Sequence, residues 1–110
     1  MKLLLAALTA LGISLSSLPS QALGNVVGEG ATTCEHYASR PLDKKNKYII
    51  WTQGYITAFN NLSGKTPNVV GSHDYNWVRL WLDEYCGKNA GKYFVEAVVA
   101  LTDTLSAGGH

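Results

Sequence analysis

The chain contains two cysteines, Cys34 and Cys86, and their state decides what kind of domain it can form. Cys86 lies in the stretch WLDEYCGKN, residues 81–89, where apolar residues at helical spacing are followed by a glycine. A buried thiol, a metal ligand, a nucleophile and half of a disulfide would each give the protein a different function. The choice depends on the redox environment, because disulfides persist mainly in exported proteins.

The amino-terminal residues predict export. Met1 and Lys2 precede an apolar run from Leu3 to Leu15, which ends in the small-residue sequence SSLPSQA. This pattern is typical of a secretory signal peptide, and the apolar run is too short to span a bilayer comfortably. We therefore expect a signal peptide over residues 1–22 and an exported mature chain without stable membrane association.

In an exported chain, two cysteines predict one disulfide between Cys34 and Cys86. In the chain-entropy model, closing a loop of about 50 residues stabilises a fold by roughly 4 kcal/mol. That contribution matters because the single core of so short a chain supplies little net stability. A zinc site or a free thiol is the alternative, but zinc requires three or four closely spaced ligands, and among the histidines only His36 lies near Cys34.

The charge balance of the mature chain argues against a nucleic-acid partner. Without Lys2, eight Lys and Arg residues stand against eight Asp and Glu residues, so the net charge is near zero at neutral pH. Nucleic acids and anionic membranes favour a basic surface. The basic run KKNK, residues 44–47, is interpreted as the solvated start of a helix, with a polyanion site as the alternative.

Helical periodicity predicts an all-α fold over residues 34–107, preceded by a flexible glycine-rich segment, 23–33. No part of the mature chain shows the strict alternation of a strand. We expect a small single-domain bundle of three main helices plus a short N-terminal helix, stapled by the disulfide. The expected elements are a short helix at 34–40, a helix of about 16 residues ending at Leu62, a loop at 63–73, a helix capped by Ser72 or Asp74 and stopped by Gly87, and a last helix starting near Asn89 or Ala90.

The chain is rich in aromatic residues, with three Trp and six Tyr. At helical spacing, Trp51 and Tyr55 fall on the predicted core face of the central helix, and Trp77 and Trp81 on that of the next. Core filling is the first interpretation. The alternative is a partner-binding groove, because Tyr and Trp combine a large apolar ring with a polar atom that suits interfaces.

Catalytic and metal-binding patterns are weak, so we predict no enzyme, no cofactor and no metal site. The adjacent residues Ser72, His73 and Asp74 cannot converge into a hydrolase triad. Asp83 and Glu84 project about 100° apart on a helix, which is wrong for a shared-proton pair and is explained by a solvated helix face. The histidines lack the helical spacing of a metal motif.

Four stretches carry a resemblance to known families: TCEHY (33–37), WTQGYITAFN (51–60), WLDEYC (81–86) and FVEAVVAL (94–101). They resemble the HdeA/HdeB group of small periplasmic acid-stress chaperones. They are also similar to the Tai-type immunity proteins that neutralise type VI secretion effectors. The resemblance covers most of the mature chain through short motifs, and both groups are small, helical and built around one disulfide.

The chaperone resemblance implies a periplasmic dimer that dissociates and partly unfolds in acid, exposing apolar surface to unfolding client proteins. Protonation of eight acids and three histidines would move the mature chain from about zero to roughly +11, and self-repulsion would loosen the fold.

The immunity resemblance implies a rigid protein, often a dimer, that inserts a loop into an effector's active-site cleft. We then expect Asn68 and His73 of the loop to contact the effector. Both resemblances imply a protein partner and a possible homodimer, while a structural subunit of an envelope complex is a third possibility.

Overall fold

The computed structural model describes residues 24–109 as five helical segments without a β-strand. They are a 3₁₀ turn (Gly28–Ala31), α1 (Cys34–Ala38), α2 (Leu42–Leu62), α3 (Tyr75–Lys88) and α4 (Phe94–Ser106). The predicted all-α class is confirmed, with three main helices and a short N-terminal helix. The predicted signal peptide, 1–22, lies outside the described residues.

A disulfide joins Cys34, the first residue of α1, to Cys86 near the end of α3. The two Cα atoms lie 4.8 Å apart, and both cysteines are fully buried. The predicted pairing is confirmed. Because a helix as short as α1 is not stable alone, the cross-link and the surrounding packing hold it against α3.

The central helix α2 is longer than the sequence pattern predicts. It begins at Leu42, directly after Pro41, and has 21 residues. The carbonyl of Pro41 accepts a hydrogen bond from the backbone N–H of Lys45 at 3.2 Å. Asp43 lies in the first turn, where a negative charge interacts favourably with the helix dipole. The basic run is therefore part of the helix itself.

One predicted end of α3 is confirmed and the other is wrong. Asp74 caps the amino terminus, since its carboxylate accepts the backbone N–H of Trp77 at 2.8 Å. Gly87 does not stop the helix, which continues for one further residue. Asn89 caps this end, because its side-chain amide donates to the carbonyl of Tyr85 at 2.8 Å.

The last helix, α4, begins at Phe94 and not near residues 89 or 90 as predicted. The residues just before α4 instead accept hydrogen bonds from the first turn of α1. The backbone N–H groups of Cys34 and Glu35 donate to the carbonyls of Lys92 and Ala90 at 2.7 and 3.0 Å. These bonds satisfy amides that the first turn of a helix leaves unpaired, so tertiary contacts delay the start of α4.

The amino-terminal segment, expected to be flexible over residues 23–33, contains the 3₁₀ turn and packs on two helices. The indole N–H of Trp51 donates to the carbonyl of Val27 at 2.8 Å. Gly30 is buried against the same ring. The carbonyl of Thr32 accepts the first N–H of α4 at 2.7 Å. Residues 27–32 therefore form part of the folded domain.

The core is built around α4, which lies against α1, α2, α3 and the 3₁₀ turn. At one end of the core, the rings of Tyr37, Tyr48 and Phe94 contact one another with centroids 4.8 to 5.1 Å apart. The other buried hydrophobic residues outside the disulfide are aliphatic: Ile49, Ile56, Val69, Val70, Val78, Leu82, Val95, Ala97, Val98, Leu101 and Leu105. Two threonines, Thr52 and Thr102, are buried among them.

Candidate partner-binding site

Four aromatic side chains form a row along one side of α3 and the residues before it. They are His73, Trp77, Trp81 and Tyr85, spaced four residues apart, and each is half-buried. The rings of His73 and Trp77 stack with centroids 3.7 Å apart, and those of Trp81 and Tyr85 stack at 5.6 Å. We call this row the aromatic ladder.

The aromatic ladder lies at the edge of the core and not at its centre. The fully buried residues of α3 are Val78, Leu82 and Cys86, each one position after a ladder residue. One position turns a side chain by about 100° around the helix axis. The ladder rings therefore cover the flank of the core while part of each ring stays in contact with solvent, as at many protein interfaces.

A shallow depression of about 290 Å³ lies beside the carboxyl-terminal half of the ladder. Its lining consists of Trp81, Glu84, Tyr85, Lys88 and Asn89. Glu84 and Lys88 are well exposed and form an ion pair at 3.2 Å across one helical turn. The depression thus combines an aromatic floor with a charged rim.

The other two predicted partner-binding residues, Trp51 and Tyr55, lie on α2. Their rings stack with centroids 6.0 Å apart. The ring centroids of Trp51 and Phe94 lie 6.2 Å apart, and Trp51 also covers the amino-terminal segment. Much of the Trp51 side chain therefore contacts other parts of the fold. Burial raises the pKa of the Tyr55 hydroxyl. The six predicted binding residues are thus divided between α2, α3 and the loop between them.

The loop at 63–73 has a defined conformation. Val69 and Val70 are buried and anchor it to the core. The side chain of Asn60, in the last turn of α2, accepts the backbone N–H of Val69 at 2.8 Å. The exposed side chain of Asn68 accepts the N–H of Gly71 at 3.2 Å. His73 belongs to the ladder, so of the two predicted loop contacts Asn68 alone stands on the loop surface.

One carboxylate connects three helices on another side of α3. Asp83 accepts the hydroxyl of Tyr37 from α1 at 2.6 Å and the ammonium of Lys45 from α2 at 3.2 Å. The guanidinium of Arg79, one turn earlier on α3, donates to its other oxygen at 3.0 Å. A second nitrogen of Arg79 donates to Asn76 at 2.8 Å. We call Tyr37, Lys45, Arg79 and Asp83 the ionic clamp.

The ionic clamp was not found from the sequence, which predicts that Asp83 faces solvent. The one available signal is the spacing of Arg79 and Asp83, which suits an ion pair within a helix. The contribution of Tyr37 depends on where the disulfide places α1. Burial, together with the hydrogen bond to Asp83, raises the pKa of the Tyr37 hydroxyl above its ordinary value.

The run Ser72, His73 and Asp74 has structural contacts in the fold. His73 stacks on Trp77, while the carboxylate of Asp74 caps α3. Residues 24–109 contain no group of three His, Cys, Asp or Glu side chains that could hold a metal ion. Over the same residues, no helix is long and apolar enough to cross a membrane.

Comparison with known proteins gives no match to a family model, a curated protein or a solved structure. The aromatic ladder, the loop and the ionic clamp are therefore interpreted from their own geometry.

Proposed function

We propose that this protein is an exported, periplasmic binding protein that acts as an acid-stress chaperone and holds unfolding clients on its aromatic ladder. The observation that carries this proposal is the ladder itself. Four half-buried rings lie in a row next to the core, where a modest loosening of the fold would expose more of their surface. Large apolar patches on small proteins mark sites of protein interaction.

The ion pairs of the ionic clamp are the contacts through which acid would loosen the fold. Strong acid removes the negative charge of carboxylates, and in the ionic clamp one carboxylate balances the charges of both Lys45 and Arg79. The two cations then repel each other at the junction of α1, α2 and α3. The loss of all eight acidic charges adds repulsion across the whole molecule. The disulfide keeps α1 and α3 joined while the packing around them loosens.

The test follows the oxidised protein from pH 7 to pH 2 by near-ultraviolet circular dichroism. In parallel, its ability to suppress aggregation of an unrelated acid-denatured protein is measured. We expect the tertiary signal to fall over the same pH range in which suppression appears. A protein that stays folded at pH 2 and suppresses nothing would exclude the chaperone function.

Matched variants connect the activity with the ladder. We expect the double substitution Trp77→Ser and Tyr85→Ser to reduce suppression in acid. The control is Leu62→Ser at the end of α2, which removes an apolar side chain that is 81% exposed. If Leu62→Ser reduces suppression as much as the ladder variant, clients bind to apolar surface in general and not to the ladder.

A second function is favoured by the ordered loop at 63–73. Its buried valines and its side-chain hydrogen bonds hold Asn68 in a fixed, exposed position. A preorganised loop binds a cleft at a lower entropic cost than a flexible one. This geometry suits an immunity protein that blocks the active site of a cell-wall-degrading effector.

The immunity function is tested with a cell-wall amidase, chosen as one whose gene is found beside the gene of this protein. The protein should inhibit that enzyme, and Asn60→Ala should weaken inhibition because the loop loses its bond to Val69. Gln53→Ala, an exposed change on α2, should leave inhibition intact. Absence of inhibition by the unaltered protein would exclude this function for that effector.

A further inference from the structure

We propose that the aromatic ladder is a self-association surface, on which α3 packs antiparallel against α3 of a second copy with the two-fold axis at Trp81. The proposal goes beyond the proposed function and does not rest on it. It follows from the order of side chains along α3, their exposure and the shape of the depression beside them.

The side chains of α3 are arranged symmetrically about Trp81. Trp77 and Tyr85 lie four residues to either side, while Asp74 and Lys88 lie seven residues to either side. At about 100° per residue, Trp77 and Tyr85 point within about 40° of the direction of Trp81, and Lys88 within about 20°. Asp74 is the N-cap at the opposite end of the helix from Lys88. An antiparallel copy therefore sets aromatic residues against aromatic residues and an acid against a base.

The charges select the antiparallel arrangement. A two-fold axis at Trp81 places Asp74 of each copy opposite Lys88 of the other, which gives two identical attractive pairs. Both residues are exposed. A parallel arrangement would place like charges against each other and align the helix dipoles in the same direction, and both effects are unfavourable. Glu84 lies beside Lys88 on the rim and makes the replacement of that lysine by an acid more disruptive.

The depression has an occupant in this arrangement. Its lining residues Tyr85 and Asn89 have Trp77 and His73 as their counterparts across the two-fold axis, because each pair is equally distant from Trp81. The stacked pair of His73 and Trp77 of one copy therefore enters the depression of the other. The result is an aromatic centre with charged residues around it, which is the usual arrangement of a protein interface.

The mass of the disulfide-bonded protein is measured at pH 7 by sedimentation over a wide concentration range. We expect a dimer that Lys88→Glu weakens about tenfold or more, because it places acids opposite Asp74. Lys65→Glu makes the same charge change in the loop and should leave the dimer intact. A monomer at all concentrations, or a dimer that Lys88→Glu does not weaken, would overturn the proposal.

A covalent cross-link traps even a weakly populated dimer and so reports the position of the axis. A cysteine at the two-fold axis faces its own copy, so Trp81→Cys should form a disulfide-linked dimer under mild oxidation. The control, Leu80→Cys, lies at a position that is 53% exposed but points about 100° away. Equal or faster cross-linking of the control would overturn the proposed axis. Circular dichroism on both variants verifies that the fold is intact.

Discussion

Adding a single methyl group at Gly30 should destabilise the fold, because Gly30 lies directly against the ring of Trp51. A Cβ atom at this position would overlap the six-membered ring of Trp51. We expect Gly30→Ala to displace the 3₁₀ turn and to lower the free energy of unfolding by about 1 to 3 kcal/mol, as overpacking does in other cores. Urea unfolding and tryptophan fluorescence would measure the two effects.

Gly24→Ala is the matched control for this substitution. An added Cβ at Gly24 meets no atom within 4 Å, so the stability of that variant should equal that of the unaltered protein. If Gly30→Ala is equally stable and leaves the fluorescence unchanged, Trp51 does not cover the turn in solution.

The raised pKa of Tyr37 predicts how the free energy of unfolding changes at alkaline pH. Its raised pKa means that the folded state holds the phenolic proton more tightly than the unfolded state, in which tyrosine titrates near pH 10. The stabilisation is therefore complete below about pH 10 and is lost as the pH rises further. Tyr37→Phe should reduce this alkaline loss, and at pH 7 it should cost about 1 kcal/mol for the missing hydrogen bond.

Urea unfolding at pH 7 and at alkaline pH distinguishes the role of Tyr37 from a general tyrosine effect. Tyr93→Phe serves as the control, because Tyr93 is 52% exposed. If the free energy of unfolding falls by the same amount at alkaline pH in both variants, the effect cannot be assigned to Tyr37.

At the scale of the elements, the ionic clamp joins α1, α2 and α3 through the carboxylate of Asp83. Asp83→Asn removes the charge that balances Lys45 and Arg79, and it leaves those cations close together. We expect the free energy of unfolding to fall by about 1 to 3 kcal/mol at neutral pH. Glu84→Gln on the next residue alters an exposed ion pair and should cost less than about 1 kcal/mol. Similar losses from both substitutions would show that the clamp adds little.

The sequence predicts which segments are helical better than it predicts which residues are central. The periodicity places Trp51 and Tyr55 on the core face of α2, but the buried positions are the next residues along, Thr52 and Ile56. Two stripes separated by one residue differ by about 100°, and apolar side chains on both satisfy the same pattern. Trp51 and Tyr55 consequently lie on the flank of the core, where the indole N–H of Trp51 donates to the backbone carbonyl of Val27.

Features that depend on contacts between distant segments were not predictable. The late start of α4 depends on bonds from Cys34 and Glu35, about 60 residues earlier in the chain. The ionic clamp depends on the position of Tyr37, which the disulfide and the core determine. Of the candidate site, the single residues His73, Trp77 and Trp81 were predicted, whereas their arrangement with Tyr85 in one continuous row required the structure.

At the scale of the whole molecule, the disulfide connects the first helix to the third across 52 residues. Reduction should lower the free energy of unfolding by about 2 to 5 kcal/mol, as removal of a native disulfide does in small secreted domains. The chain contains no other cysteine, so a reducing agent acts on this bond alone. Unfolding in urea with and without the reducing agent measures the loss, and coincident curves would contradict the prediction.

The position of the disulfide also determines what a protease can release. The loop at 63–73 lies between Cys34 and Cys86, so a single cut in that loop leaves both fragments linked by the bond. The cut protein would keep the mass of the whole chain, plus one water, until it is reduced. A cut in this loop therefore breaks the backbone but releases no fragment of the domain.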